Sequence, residues 1–334
     1  MPQGNGSAAL DVLGMGNAIV DVLARADDAF IAEHDLPKGG MTLIDDERAD
    51  QLYDAMGRGV EVSGGSCANT MAGAASFGSR TAYVGKVRDD QLGAIFAHDI
   101  RAAGVTFETA PATEGPPTAR CLILVTPDAQ RTMCTYLGAS VDLGPEDVDP
   151  GQVASASVTY LEGYLWDKPR AKDAFRLAMG IAHRAGRTVS LTLSDSMCVE
   201  RHREEWLRLV DNEVDVLFAN QHEIMSLYQL PDLESAVAAV RGRGQVAVIT
   251  RSELGSLVVT ADAVHEVPAS TVARVVDTTG AGDLFASGFL HGLTHGLPLP
   301  ECARLGGLAA AEIISHFGAR PETRLAALAG VAAS

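Results

Sequence analysis

Short apolar runs alternate with longer amphipathic stretches along most of this chain. The segments 10–16 ("LDVLGMG"), 81–87, 158–165, 188–194, 214–220 and 246–251 are compact apolar clusters with strand character. Between them, 68–77, 90–103, 170–185, 200–210, 233–243 and 283–296 read as amphipathic helices. Parallel strands need crossovers, and crossover helices cover the faces of the sheet. The alternation therefore predicts an α/β fold, a doubly wound and mostly parallel sheet with helices on both faces.

Two regions break this rhythm. Residues 21–45 and 112–138 are rich in turn formers and carry alternating patterns such as "ARCLILVTPDAQRTMCTYL". "PDAQ" (127–130) reads there as a hairpin turn between two strands. The two regions are expected to form a small β lid on a large α/β domain built from 1–20, 46–111 and 139–334. No internal repeat or low-complexity segment interrupts that plan.

Composition narrows the function. Of the 334 residues 47% are hydrophobic and 21% charged, enough for a substantial core, and the net charge is −17. That charge repels phosphate as a whole, so a nucleic-acid partner is not expected, and a phosphate-bearing ligand would need a local positive site. The five cysteines (Cys67, Cys121, Cys134, Cys198, Cys302) never stand as CxxC and read as reduced thiols. The opening "MPQGNGSAALDVLGMGNAIVDVLA" lacks a basic leader, and no apolar run reaches membrane length. A cytoplasmic protein acting on small molecules, with no membrane partner and monomeric or homodimeric, is the expectation.

The sharpest chemical signal is "DTTGAGDLF" at 277–285. Gly280, Ala281 and Gly282 precede an acid and then helix formers, the layout of an anion-binding helix start. Asp283 beside a bound anion would be unfavourable unless it accepts a proton from an attacking hydroxyl. The alternative is that Asp283 merely caps the helix. The pattern GxxxxGK[ST] is absent, so this is no P-loop.

Other segments could join it. "SGGSCANT" (63–70) is a second glycine-rich turn opening a helix, and its Ser66 and Asn69 suit neutral hydroxyls. "GMGNAIVDVL" (14–23) places Asn17 and Asp21 after the first strand, near the edge where open α/β sheets bind ligands. It does not complete GxGxxG, because Ile19 holds the last glycine position, so a dinucleotide site is disfavoured. Asn220 and Glu223 follow another strand and could hold hydrated magnesium or simply start a helix. His291 and His295 stand four apart but have no third ligand in view, and Trp166 and Trp206 read as core.

Taken in order, "GGSCANTMAGAASFG" (64–78), "FANQHE" (218–223) and "DTTGAGDLFASGFLHGL" (277–293) resemble the PfkB, or ribokinase-like, carbohydrate kinases over about residues 10–320. Asn17 and Asp21, four apart, and the GGSxxN form of Gly64, Gly65, Ser66 and Asn69 look like the adenosine kinase branch. The resemblance implies an ATP-dependent kinase using Mg²⁺, with Asp283 as general base and Gly280, Ala281 and Gly282 as the anion hole. Asn220 and Glu223 would order the magnesium–water shell. Asp21, Gly64, Gly65, Ser66 and Asn69 would bind ribose, with Asn17 close to the purine.

Arg131, on the lid, would reach the phosphates. Nucleotide contacts are expected near Thr250, Gly255, Thr279, Gly282 and Gly318, with the base near 250–256 and 309–318. Asp277, Thr279 and Gly318 lie where some members of that family hold a monovalent cation such as K⁺. Met41, Tyr164 and Leu165 are the apolar residues expected at the base, and Arg88 stands where many relatives carry glycine. The expected reaction is phosphorylation of a nucleoside 5′-hydroxyl, adenosine first, by direct in-line transfer. A free sugar such as ribose or fructose, or guanosine or inosine, is the alternative substrate. A nucleoside-binding protein without catalysis and a Rossmann dehydrogenase are rivals from other classes.

Overall fold

In the computed structural model, residues 8–128 and 130–330 are described. Ala129, in the expected hairpin turn, lies outside them, as does part of the N-terminal stretch read as leader-free. The strands in chain order are β1 (Leu10–Met15), β2 (Ile19–Arg25), β3 (Met41–Leu43), β4 (Gly59–Gly64), β5 (Thr81–Val84), β6 (Val105–Phe107) and β7 (Ala119–Val125). There follow β8 (Arg131–Tyr136), β9 (Ala156–Glu162), β10 (Thr188–Thr192), β11 (Val216–Asn220), β12 (Val246–Thr250), β13 (Ser256–Val259) and β14 (Val264–Val267).

The main sheet runs β14-β13-β12-β11-β10-β9-β1-β5-β6. It is parallel from β6 through β12, and β13 and β14 add an antiparallel edge. Every expected strand and helix of the alternating pattern is present. β1 is buried on both faces from Asp11 onward, and from Val12 it reads as a continuous apolar run and not as an alternation. After β1 the chain lays β5 on one side and later β9 on the other, so the strand order reverses between β1 and β9. Their carboxyl ends open the crevice where such sheets bind ligands.

A second sheet, β3-β8-β7-β2-β4, stands over that crevice. β7 and β8 pair antiparallel across the hairpin, Arg120 opposite Tyr136 and Val125 opposite Arg131. The boundary departs from expectation here: Gly59–Gly64, within the stretch 46–111 expected in the large domain, belongs to this sheet, and β2 begins at Ile19. β4 was missed because its first two residues are exposed and it ends in glycines, leaving little apolar signal. The helix Asp46–Ala55 packs on β7 and β8, with Ala49 and Leu52 buried. The opposite face is open to the crevice.

One further departure concerns a single residue. Leu165, expected at a base, is buried in the core among Trp166 and Phe175. His291 is packed inside, its Nδ1 2.8 Å from Ser79 Oγ and its ring stacked on Phe77, and burial pushes its pKa down to about 4. Trp166 and Trp206 lie in the core with ring centroids 5.1 Å apart. All five cysteines are buried and free. Among the described residues no helix is long and apolar enough to cross a membrane.

Candidate active site

The crevice holds a cavity of about 820 Å³ between the carboxyl ends of the main sheet and the open face of the second sheet. Strand register decides what the second sheet contributes. Asp21, Cys121, Thr135 and Leu43 stand in one row across β2, β7, β8 and β3. Leu23, Ile123, Met133 and Met41 stand in the next, because side chains two apart share a face. One carboxylate thus sits beside a strip of apolar side chains, and Met41 is still 48% exposed.

The helix Ala281–Thr294 points its start into this cavity. Its N-cap is Gly280 at φ 77°, a conformation that glycine adopts without strain, and no side chain caps it. The N–H of Ala281 donates to Thr278 O at 3.2 Å, while those of Gly282 and Asp283 remain available to an anion. Asp283 is not the cap. Its Oδ1 accepts from Ser66 Oγ at 2.6 Å and its Oδ2 from Asn69 Nδ2 at 3.0 Å, both on the helix Ser66–Phe77. The two helices pack closely enough that a Cβ on Gly73 would lie 2.5 Å from Ser287 Oγ. Burial raises the Asp283 pKa, and the Ser66 and Asn69 donors and the Arg320 charge oppose that rise.

Asp21 is different in kind. Among the described residues no hydrogen-bond donor reaches its carboxylate, and burial pushes its pKa up to about 7 against the charges of Arg320 and Arg131. Gly64 is what makes room for it: a Cβ there would lie 2.3 Å from Asp21 Oδ2. Asn69 Oδ1 is buried without a partner. A carboxylate and an amide oxygen, both unsatisfied, line one cavity. Such groups call for hydroxyl donors.

Asn17 is held more tightly than its sequence position suggests. Its Nδ2 donates to Glu162 Oε1 at 2.9 Å and its Oδ1 accepts from Ser140 Oγ at 2.9 Å, so its amide is engaged inside the protein. Glu162, at the end of β9, also accepts from the backbone N–H of Cys67 at 2.8 Å. Burial raises its pKa to about 7, the Cys67 and Asn17 bonds opposing. Gly65 opens the helix of Ser66 at φ 92° and lines the cavity with it.

On the other side of the cavity Asn220 and Glu223 form a reciprocal capping box. Asn220 Oδ1 accepts from the N–H of Glu223, while the Glu223 carboxylate accepts from Asn220 N at 2.8 Å and Nδ2 at 2.6 Å. Glu223 is buried, which raises its pKa to about 7. Thr250, Thr279, Ala281 and Gly282 line the cavity with them. Gly255 does not: it makes the turn from β12 to β13, where a Cβ would lie 2.1 Å from Val267 O.

Arg131 and Gly318 also lie off the cavity lining. Arg131 pairs with Asp277 at 2.6 Å, both side chains buried, and its guanidinium lies over Phe317. Asp277 further accepts from Thr279 N and Oγ1 and from Gly318 N. The Asp277 carboxylate is thus shared between the Arg131 guanidinium and the donors of Thr279 and Gly318.

Glu162, Ile123 and Met133 also line the cavity, although none of them belongs to a motif. Ile123 and Met133 were legible only as members of alternating strands. Glu162 and Arg320 carry no motif at all.

With this geometry the chain matches the family model "pfkB family carbohydrate kinase" over residues 37–324. The chain belongs to the pfkB family of carbohydrate kinases. It is 54% identical to adenosine kinase from Sinorhizobium meliloti, covering 97% of this chain and 99% of that one with a TM-score of 0.90. It is 51% identical to a probable sugar kinase protein from Rhizobium etli, over 97% and 98% of the two chains with a TM-score of 0.91. A 5-dehydro-2-deoxygluconokinase of Geobacillus thermodenitrificans is 27% identical over 263 residues, 75% of this chain and 78% of that protein. As a pfkB kinase the protein is a phosphotransferase with a hydroxyl acceptor and ATP as co-substrate, acting on a sugar or a nucleoside.

Proposed function

We propose that this kinase phosphorylates the 5′-hydroxyl of adenosine. The observation that carries the reading is the unpartnered Asp21 carboxylate beside the apolar strip Ile123, Met133 and Met41. An ionised carboxylate accepts only, so two vicinal ribose hydroxyls would satisfy it, with Asn69 Oδ1 taking a further donor. The apolar strip would cover a flat base, which a free sugar lacks. The high identity to the Sinorhizobium meliloti adenosine kinase over nearly the whole of both chains supports the same reading.

Transfer would then proceed in line, with the acceptor hydroxyl between Asp283 and the helix start. Asp283 takes the hydroxyl proton as the oxygen attacks phosphorus. Ser66 and Asn69 fix the two carboxylate oxygens so that the base meets the substrate in one orientation. The N–H groups behind Gly280 face the phosphoryl oxygens where charge accumulates, and positioning plus this field supply most of the rate. No covalent enzyme intermediate is needed.

Magnesium fits the residues present through water. Among the described residues no three His, Cys, Asp or Glu side chains converge into a protein cage. Mg²⁺ commonly keeps several waters and rides on the nucleotide phosphates, and Glu223 at the cavity wall would accept from those waters. The ion would neutralise charge on the transferring group. Glu223→Gln should therefore raise the magnesium concentration for half-maximal rate several-fold and leave nucleoside KM almost unchanged. An unaltered magnesium dependence would reduce Asn220 and Glu223 to their capping role.

A sugar acceptor is the second reading, favoured by the likeness to the Rhizobium and Geobacillus kinases. The deciding measurement is kcat/KM for adenosine, guanosine, inosine, ribose, fructose and 5-dehydro-2-deoxygluconate under one set of conditions. Adenosine should lead. If a free sugar leads, the nucleoside reading falls and phosphotransfer alone survives.

A further inference from the structure

Arg320 follows Ala319 in the loop after the helix Leu299–Ile313, and Ala319 abuts the anion hole: a Cβ on Gly280 would lie 3.1 Å from Ala319 Cβ. Its guanidinium reaches to the turn that opens the helix Ser66–Phe77. Nε and Nη2 donate to Ser63 O at 3.2 and 3.0 Å, Nη2 also to Ser63 Oγ at 2.9 Å, and Nη1 to Ala68 O at 2.5 Å. Ser63 lies near the end of β4, held from the other direction by Asp99 Oδ2, which accepts from its N–H at 2.7 Å. Ala68 lies in the first turn of the helix that carries Ser66 and Asn69. One side chain thus clamps both ends of the Gly64-Gly65 turn.

We infer that Arg320 is a positioning residue for phosphoryl transfer, coupling the loop at the anion hole to the turn that orients Ser66 and Asn69 on Asp283. The inference rests on Asp283 being the base. A fixed fork of donors suits this task, since it sets direction as well as distance. The placement has an electrostatic consequence too. The groups facing Asp283 are Asp21 from β2, Tyr160 and Glu162 from β9, Tyr164 just beyond it, and Ser66, Cys67 and Asn69 from their helix. Two of these are carboxylates, and Arg320 supplies the opposing positive charge. It makes no direct ion pair with Asp283, so it acts on the base through the field and through the turn.

The test compares the pH dependence of kcat for wild type, Arg320→Gln and Arg320→Lys, with Asp283→Asn assayed in parallel. In Arg320→Gln the acid limb of kcat should move up by about one pH unit, the order expected when a nearby opposite charge is lost. Its kcat at neutral pH should fall roughly tenfold through misplacement of the acceptor geometry. Arg320→Lys keeps the charge and loses the fork, so its acid limb should stay in place while kcat still falls. A wild-type profile and kcat in both variants would overturn the proposal, as would lowered thermal stability with an unmoved profile in Arg320→Gln. If Arg320→Gln does not fold, Arg320→Lys decides: an unchanged kcat overturns the role and a reduced one supports it. Turnover retained by Asp283→Asn would instead overturn the base assignment itself.

Discussion

Asp283→Asn should lower kcat at least ~10²-fold, the lower range for losing a general base, while thermal stability and ATP binding stay near wild type. Asparagine keeps the shape but cannot take the proton of the acceptor hydroxyl. Its Oδ1 can still accept from Ser66, so the helix contact that now spans Ser66 and Asp283 is half preserved and the fold should tolerate the change. The pH profile carries independent information. Because burial raises the Asp283 pKa, the wild-type rate should fall on acidification with an inflection above the ordinary carboxylate range. Asp283→Asn should lose that inflection. Near-wild-type turnover in the variant would remove Asp283 from the mechanism, and the helix start would remain only an anion site.

The larger discrimination should come from Asp21. An acceptor that expects two hydroxyls is left unpaired when one is missing, and such sites reject the analogue by up to ~10⁴–10⁵-fold. Wild type should therefore prefer adenosine over 2′-deoxyadenosine by a factor approaching that range in kcat/KM. Asp21→Ala should lower kcat/KM for adenosine strongly and 2′-deoxyadenosine much less, so that the ratio collapses toward one. The comparison is a double-mutant cycle between a side chain and a substrate hydroxyl.

A pH signature follows from the same group. The free Asp21 pKa is raised to about 7, and hydroxyl donors favour the ionised form. Nucleoside binding should release a proton and tighten as pH rises through about 7, whereas Asp21→Ala should show no such trend. For stability the sign reverses. A carboxylate whose folded pKa is raised contributes most below its unfolded value, near 4, and that contribution is lost as pH rises through 7. If the 2′-hydroxyl preference survives in Asp21→Ala, the diol site lies elsewhere.

How much of this was legible in the chain depends on where the partners lie. The parallel strands were readable because burial on both faces leaves an unbroken apolar run, as in Leu10–Met15 and Val216–Asn220. The glycine loop was readable because its chemistry is local: Gly280, Ala281, Gly282 and Asp283 are consecutive, and a helix start needs nothing distant to present its N–H groups. The motif residues around Asn220 and Glu223 were readable for the same reason, although the cap they form was not separable from a ligand role. These local statements, with the α/β class and the reduced cysteines, are what the sequence by itself determined.

The tertiary structure decided the rest. Whether Asp283 caps its own helix or turns outward depended on Ser66, 217 residues earlier in the chain. Glu162 had no signature because its partner Asn17 is 145 residues away, and Arg320 had none because Ser63 is 257 residues away. Arg131 shows the same limit, since its ion-pair partner Asp277 lies far along the chain and no local pattern joins the two. Strand β4 escaped notice because its membership of the second sheet is set by pairing with β2, Asp21 opposite Val62, and not by its own weak apolar content. Local propensity and periodicity act within a turn or a strand. The charge state and orientation of a buried side chain are set by whatever the fold brings within a few ångströms of it.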